Sequence, residues 1–177
     1  MPVGLDTVPG RVWNGDRDNV MRNYSQRCWC GEWEGVNKMR LVIPEKKKLV
    51  FEMAIPIRWG DMDAFGHVNN GSYFRYLETV RIEWMYSIGA KPDPEGHGPV
   101  TVSTFCNFYR QMEYPGNVLT RLYASDPGRT TFEGWCTMSH SDQPDVICAE
   151  GGATTIWADF PSQKAVALPD WLRTIVT

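Results

Sequence analysis

Between Asn70 and Ile88 the chain reads NGSYFRYLETVRIEWMYSI, and apolar residues recur there every three or four positions. Tyr73, Leu77, Val80, Trp84 and Ile88 form the stripe, widened by Phe74 and Met85, while Arg75, Glu78, Arg81 and Glu83 are the main polar positions. Residues three and four apart share one face of a 3.6-residue period, so the spacing predicts an amphipathic helix of about five turns. Asn69 or Asn70 is suited to cap it, because a short side-chain oxygen accepts an orphan backbone N–H. Gly89 is placed to end it. No second long helical pattern follows. Instead VTVSTFCNFYRQM, NVLTRLYAS, RTTFEGWCTMSHS and DVICAEGGATTIWADF read as strands, separated by the turn-rich EYPG, DPG and SDQPD. Leu49 to Arg58 reads as a strand ahead of the helix, with Pro56 near its end, and ALPDWLRTIV as a short terminal helix opened by Pro169 or Asp170. One long helix and a run of antiparallel strands predict an α+β fold with the sheet packed on the helix.

The 177 residues fit one domain, and 42% hydrophobic with 22% charged residues allows a core of ordinary size. A net charge of −3 gives no electrostatic case for nucleic-acid binding. No apolar run approaches the ~18 residues of a membrane span. The first twenty residues lack the apolar centre of a signal peptide, which makes a cytoplasmic location the default expectation. The five cysteines, Cys28, Cys30, Cys106, Cys136 and Cys148, are odd in number and read as reduced thiols. Cys28 and Cys30 stand one residue apart with no second ligand pair nearby, a poor zinc pattern. Residues 1–38, rich in Gly, Asn, Arg and Trp, show no clean period and read as an irregular extension; residues 39–177 read as the compact domain. Lys46 to Lys48 read as a solvated turn, with phosphate contact as the other use of such a run.

Between the first strand and the helix lies DMDAFGHVNN, residues 61–70. As a calcium loop it matches at Asp61, Asp63 and Gly66, but Phe65 and Ser72 occupy ligand positions. An Asp-x-Asp phosphotransferase suits an alternating α/β chain, which this is not. A loop that only turns the chain and caps a helix needs one or two of these polar groups. The remainder stand where a strand meets a helix N-terminus, whose free N–H groups and partial positive charge favour an anionic oxygen. A carboxylate beside N–H groups aimed at a carbonyl is a minimal site for acyl transfer.

The stretch IRWGDMDAFGHVNNGSYFRYLETVRIEWM resembles the hot-dog-fold acyl-CoA thioesterases of the 4-hydroxybenzoyl-CoA thioesterase type. Asp63, Gly66, His67, Val68, Asn69 and Asn70 carry the resemblance, followed by Tyr73, Tyr76 and Glu78. FYRQMEYPGNVL and ATTIWADFPSQKAVALPDWL are similar to later parts of the same family, so the likeness runs from Leu49 to Leu172. It implies a hot-dog fold, an antiparallel sheet wrapped around one long central helix. It also implies a homodimer or homotetramer with active sites at the subunit interface, no metal or redox cofactor, and an acyl-CoA or other acyl thioester as substrate.

By position Asp63 matches the family's catalytic carboxylate, as nucleophile or general base. Backbone N–H groups of Asn70 and Gly71 would polarise the thioester carbonyl. His67 either supports the loop or orients Asp63 or water. Asn69 caps the helix or bonds across the dimer, and Tyr73 packs in the core or lines the acyl pocket. Asp61 is read as a loop residue or a catalytic helper, Glu78 as a helix or interface residue or, as in a related group of hot-dog thioesterases, a helical catalytic acid, and His97 and His140 as surface residues. Arg58, Arg75 and Arg110 are candidate cations for coenzyme A. Two alternatives remain on this fold. An enoyl-thioester hydratase carries a differently spaced Asp and His with a proline that this chain lacks. An acyl-CoA or acyl-carrier binding module gains nothing from a carboxylate desolvated near a carbonyl.

Overall fold

A computed structural model describes residues 42–91 and 93–177. The expectations for residues 1–38, including the Cys28–Cys30 pair, lie outside these. Strands β1 (Lys48–Pro56), β2 (His97–Phe108), β3 (Asn117–Ser125), β4 (Thr131–His140), β5 (Gln143–Asp159) and β6 (Lys164–Ala165) form one sheet. The helices are α1 (Asn70–Ser87) and α2 (Asp170–Val176). The sheet order is β1-β3-β4-β5-β2, every pairing is antiparallel, and β6 adds two residues to β5. Strands β1 and β2 are opposite ends of this order, yet both touch α1, so the sheet curls around the helix. This is the hot-dog arrangement.

The apolar stripe of α1 explains the packing. Leu77, Val80 and Trp84 are buried against Val118, Leu122, Phe132, Cys136 and Met138 from the inward faces of β3 and β4. Trp84 meets Phe132 edge-on, with ring centres 5.8 Å apart. Each such side chain contributes about 1.5–3 kcal/mol by leaving water. Gly151 of β5 lets the helix come close: a Cβ there would stand 2.6 Å from Leu77 Cδ1.

Both ends of α1 are closed. At the start, Asn69 Oδ1 accepts the Gly71 N–H at 2.8 Å. At the end, Gly89 N–H donates to Tyr86 O at 3.1 Å and Ala90 N–H to Met85 O at 2.9 Å, a Schellman pair. Gly89 has φ +81°, a conformation that costs glycine little.

Strand β2 starts at His97 and ends at Phe108, rather than spanning 100–112. It ends early because the Tyr109 and Arg110 N–H groups both turn onto Cys148 O, at 2.8 and 2.9 Å. The outer edge of β2 pairs with no strand among the described residues, and Thr101 to Thr104 are exposed there. Among the described residues no helix is long and apolar enough to cross a membrane.

Candidate active site

The chain leaves β1 at Pro56 and enters a single helical turn, Trp59–Asp61, before the polar loop. Arg58 N–H donates to Asp61 Oδ2 at 2.9 Å, and Asp61 N–H donates back to Arg58 O at 2.9 Å, which closes that turn. Met62 then pairs with Val68 as an isolated antiparallel bridge. Inside the bridge, Asp63 N–H donates to His67 O at 2.8 Å and Gly66 N–H to Asp63 O at 3.1 Å. Gly66 has φ +80°. The motif is therefore a miniature hairpin with Asp63 at its first corner.

The Asp63 carboxylate is held by its own loop. Oδ1 accepts the Phe65 N–H at 2.8 Å and the His67 N–H at 3.3 Å. Asp63 is half-buried, and no described residue donates to Oδ2. The loop is fixed from outside as well. Val68 N–H donates to Met112 O, Asn69 N–H to Asp61 O, and Ile57 N–H to Gly116 O, at 2.8, 2.8 and 3.0 Å. These bonds join three chain segments: the end of β1, the loop, and the EYPG turn before β3.

The helix start supplies the N–H groups. Gly71 N–H is engaged by the Asn69 cap, and Ser72 N–H donates to Asn69 O at 2.8 Å. Asn70 N–H meets no acceptor among the described residues, which leaves it as the donor facing outward from the first turn. The Asp63 loop and the Asn70 N–H thus both lie at the N-terminal end of α1, while the Gly71 N–H serves the cap.

His67 bonds to Asp63 through its backbone N–H, not its ring. The ring is largely buried, with Nε2 3.8 Å from Glu113 Oε1. Tyr73 lies in the core, 2% exposed, edge-on to Phe108 at 5.1 Å and to Tyr76 at 6.2 Å. Burial pushes its phenol well above the ordinary 10.0. Asp61 is 4% exposed, and its Oδ2 also accepts the Tyr76 hydroxyl at 3.0 Å. Burial, and then this bond, raises the Tyr76 phenol above its ordinary 10.0. Glu78 and His97 are exposed.

His140 was expected at the surface and is instead largely enclosed. Its Nδ1 accepts the Asp142 N–H at 3.2 Å, which leaves Nε2 to donate to Glu113 O at 3.0 Å. It therefore braces the turn that carries Glu113. Glu113 opens the EYPG turn, but no local pattern links it to His140, 27 positions away. Only the Pro-Gly turn beside them marked the region. Among the described residues no three His, Cys, Asp or Glu side chains gather as a metal-binding group.

Comparison with known proteins adds three findings. The family model described as "Thioesterase-like superfamily" matches residues 57–176. The uncharacterized protein YsmA of Bacillus subtilis (strain 168) is 30% identical over 67 residues, which span 38% of this chain and 46% of that protein, under half its length. Among solved structures, the PA2801 protein of Pseudomonas aeruginosa, a proposed thioesterase, is 29% identical with a TM-score of 0.70 over 73% of this chain and 100% of that one. A proposed acyl-CoA thioesterase of Xanthomonas campestris is also 29% identical, with a TM-score of 0.57 over 62% of this chain and 93% of that one.

Proposed function

Because the chain belongs to the thioesterase-like superfamily, we propose that it hydrolyses an acyl-CoA thioester to the free acid and thiol, as an enzyme of the 4-hydroxybenzoyl-CoA thioesterase type. The observation that carries this reading is the hairpin of Met62 to Val68. It holds the Asp63 carboxylate at the same end of α1 as the Asn70 N–H.

In the proposed reaction the thioester carbonyl lies between these two groups. Asp63 either attacks the carbonyl carbon or takes a proton from the water that does. Either route moves an electron pair onto the carbonyl oxygen, and the Asn70 N–H receives that charge. Collapse of the intermediate expels the thiolate, which takes up a proton; where Asp63 is the nucleophile, water then hydrolyses the mixed anhydride left on it, releasing the acid and restoring the carboxylate. His67 keeps the hairpin closed through its backbone, whose N–H donates to Asp63 Oδ1 and whose carbonyl accepts the Asp63 N–H. No step calls for a metal or redox cofactor.

A homodimer with the sites at its interface suits this reading, since the outer edge of β2 offers a row of unpaired backbone groups to a second copy. Residues 39–177 would then suffice for folding and turnover.

Thiol release from short-, medium-, long-chain and aromatic acyl-CoAs, with native protein and Asp63→Asn, tests the proposal. That substitution keeps shape and removes charge. A fall in kcat of about 100-fold or more supports it. Undiminished turnover would move the chemistry to another carboxylate, Glu78 first. Absence of turnover on every thioester would leave a binding module.

A further inference from the structure

Arg58, Trp59 and Arg75 take no part in the chemistry proposed above, yet they border it. Arg58 and Trp59 open the turn that leads to Asp63, and Arg75 lies on the second turn of α1. The two arginines converge on one buried acid, Asp61. Asp61 Oδ2 is satisfied by the Arg58 backbone N–H and the Tyr76 hydroxyl. The two guanidiniums approach the same carboxylate from the side open to water. Arg75 Nη2 lies 3.5 Å from Oδ1 and Arg58 Nε 4.0 Å from Oδ2, with side chains 61% and 74% exposed.

This arrangement holds more positive charge than it uses. Two guanidiniums face one carboxylate, so a unit of positive charge remains at the surface of a chain whose net charge is −3. Each guanidinium has five N–H donors. Within the described residues Arg75 spends Nη2 on Ser72 Oγ and Asp61, and Arg58 only leans towards Asp61. The two arginines come from different elements and share one anchor, which keeps both cations at the same patch of surface.

Trp59 stands between Arg58 and Asp61 and is 75% exposed. An indole so open to water is unusual for a side chain that gains so much from burial. An exposed aromatic ring in the same short turn as a guanidinium is chemistry suited to a nucleotide: a ring can take the base, and planar N–H forks take phosphate oxygens.

We infer that Arg58, Trp59 and Arg75 receive the nucleotide end of a coenzyme A thioester, the guanidiniums taking its phosphates and the indole its adenine. The identity of the ligand rests on the acyl-CoA reading of the adjoining site. The inference separates coenzyme A from an acyl-carrier protein, because a carrier-bound phosphopantetheine has no adenine to stack.

Titration calorimetry with coenzyme A and with adenosine 3′,5′-bisphosphate tests this without turnover. The variants are Trp59→Ala, Arg58→Gln and Arg75→Lys; the last keeps a cation over Asp61 but loses the planar fork. Native protein is expected to bind both ligands, and each variant to weaken binding about tenfold, the lower range of one base–aromatic stack. The ratio of kcat/KM for acyl-CoA to that for the matching acyl-N-acetylcysteamine, which lacks the nucleotide, should fall in the same proportion. Variants that bind both ligands as tightly as native protein would overturn the inference. So would native protein that binds neither, or variants that lose turnover of acyl-carrier protein and not of acyl-CoA. Failure to hydrolyse even acyl-N-acetylcysteamine would count against the hydrolase reading alone, since nucleotide binding is read separately.

Discussion

The Tyr76 hydroxyl donates to Asp61 Oδ2 at 3.0 Å, and both residues are buried. Tyr76 belongs to the second turn of α1 and Asp61 to the turn after β1, so this bond ties the helix to the strand across the root of the loop. Tyr76→Phe keeps the ring and removes the donor. The carboxylate then loses one of its two close hydrogen bonds, and stability is expected to fall by about 1–3 kcal/mol. Urea unfolding of the two proteins measures it; an unchanged midpoint would show that water replaces the hydroxyl at no cost.

Gly151 and Leu77 lead to a second expectation. A Cβ on Gly151 would meet Leu77 Cδ1 at 2.6 Å and the Phe105 backbone oxygen at 2.8 Å. The leucine can yield and the paired backbone cannot. Gly151→Ala should therefore cost about 1–3 kcal/mol by overpacking, and adding Leu77→Ala should not restore it. Restoration by the double change would show that the helix, not the neighbouring strand, sets the limit.

Asn69 caps α1 through the Gly71 N–H. Asn69→Ala should lower stability by about 1 kcal/mol, as loss of a helix cap does. It also frees the Gly71 N–H. If Asn70 alone polarises the carbonyl, kcat should change by less than about threefold, against the 100-fold or more typical of losing an oxyanion donor. A larger loss would place the Asn69 side chain in the chemistry itself.

Much of this was legible in the sequence. The 3.6-residue period, the asparagine before it and the glycine after it located α1 within a residue at each end, because those signals arise from the helix itself. NVLTRLYAS is β3 as written. Other features depend on distant partners. Strand β2 stops where Cys148 O captures two N–H groups, and β6 is too short to show a period. The burial of Asp61 and the enclosure of His140 depend on Tyr76 and Glu113, which no local pattern links to them. The Asp63 hairpin was recognisable by its residues, but the engagement of the Gly71 N–H by the cap became visible only in three dimensions.

The thiols give a pH dependence. Burial pushes Cys106 and Cys136 from the ordinary 9.0 up to about 12. Between those values the unfolded chain has released protons that the folded chain retains. Stability is therefore whole below about pH 9 and declines as pH rises towards 12. Urea midpoints at about pH 8 and about pH 10.5 should show the fall. Peptide mapping after treatment with a thiol reagent near pH 8 should find Cys106 and Cys136 unmodified until denaturant is added. Rapid labelling of Cys136, which is fully buried, in the native protein would mean that the core opens at β4.

Because α1 is closed at both ends, its length is a fixed count. The Asn69 cap sets where the first turn begins, and the left-handed Gly89 sets where the last one stops. One residue added between them would rotate everything downstream by about 100° and carry Trp84 out of the core while both caps persisted. Insertions in this stretch are tolerable only in near-whole turns of three or four residues, each lengthening the helix by about 5 Å. Single-residue gain or loss must fall instead in the connections between strands, such as the turn from β4 to β5 at Ser141 and Asp142.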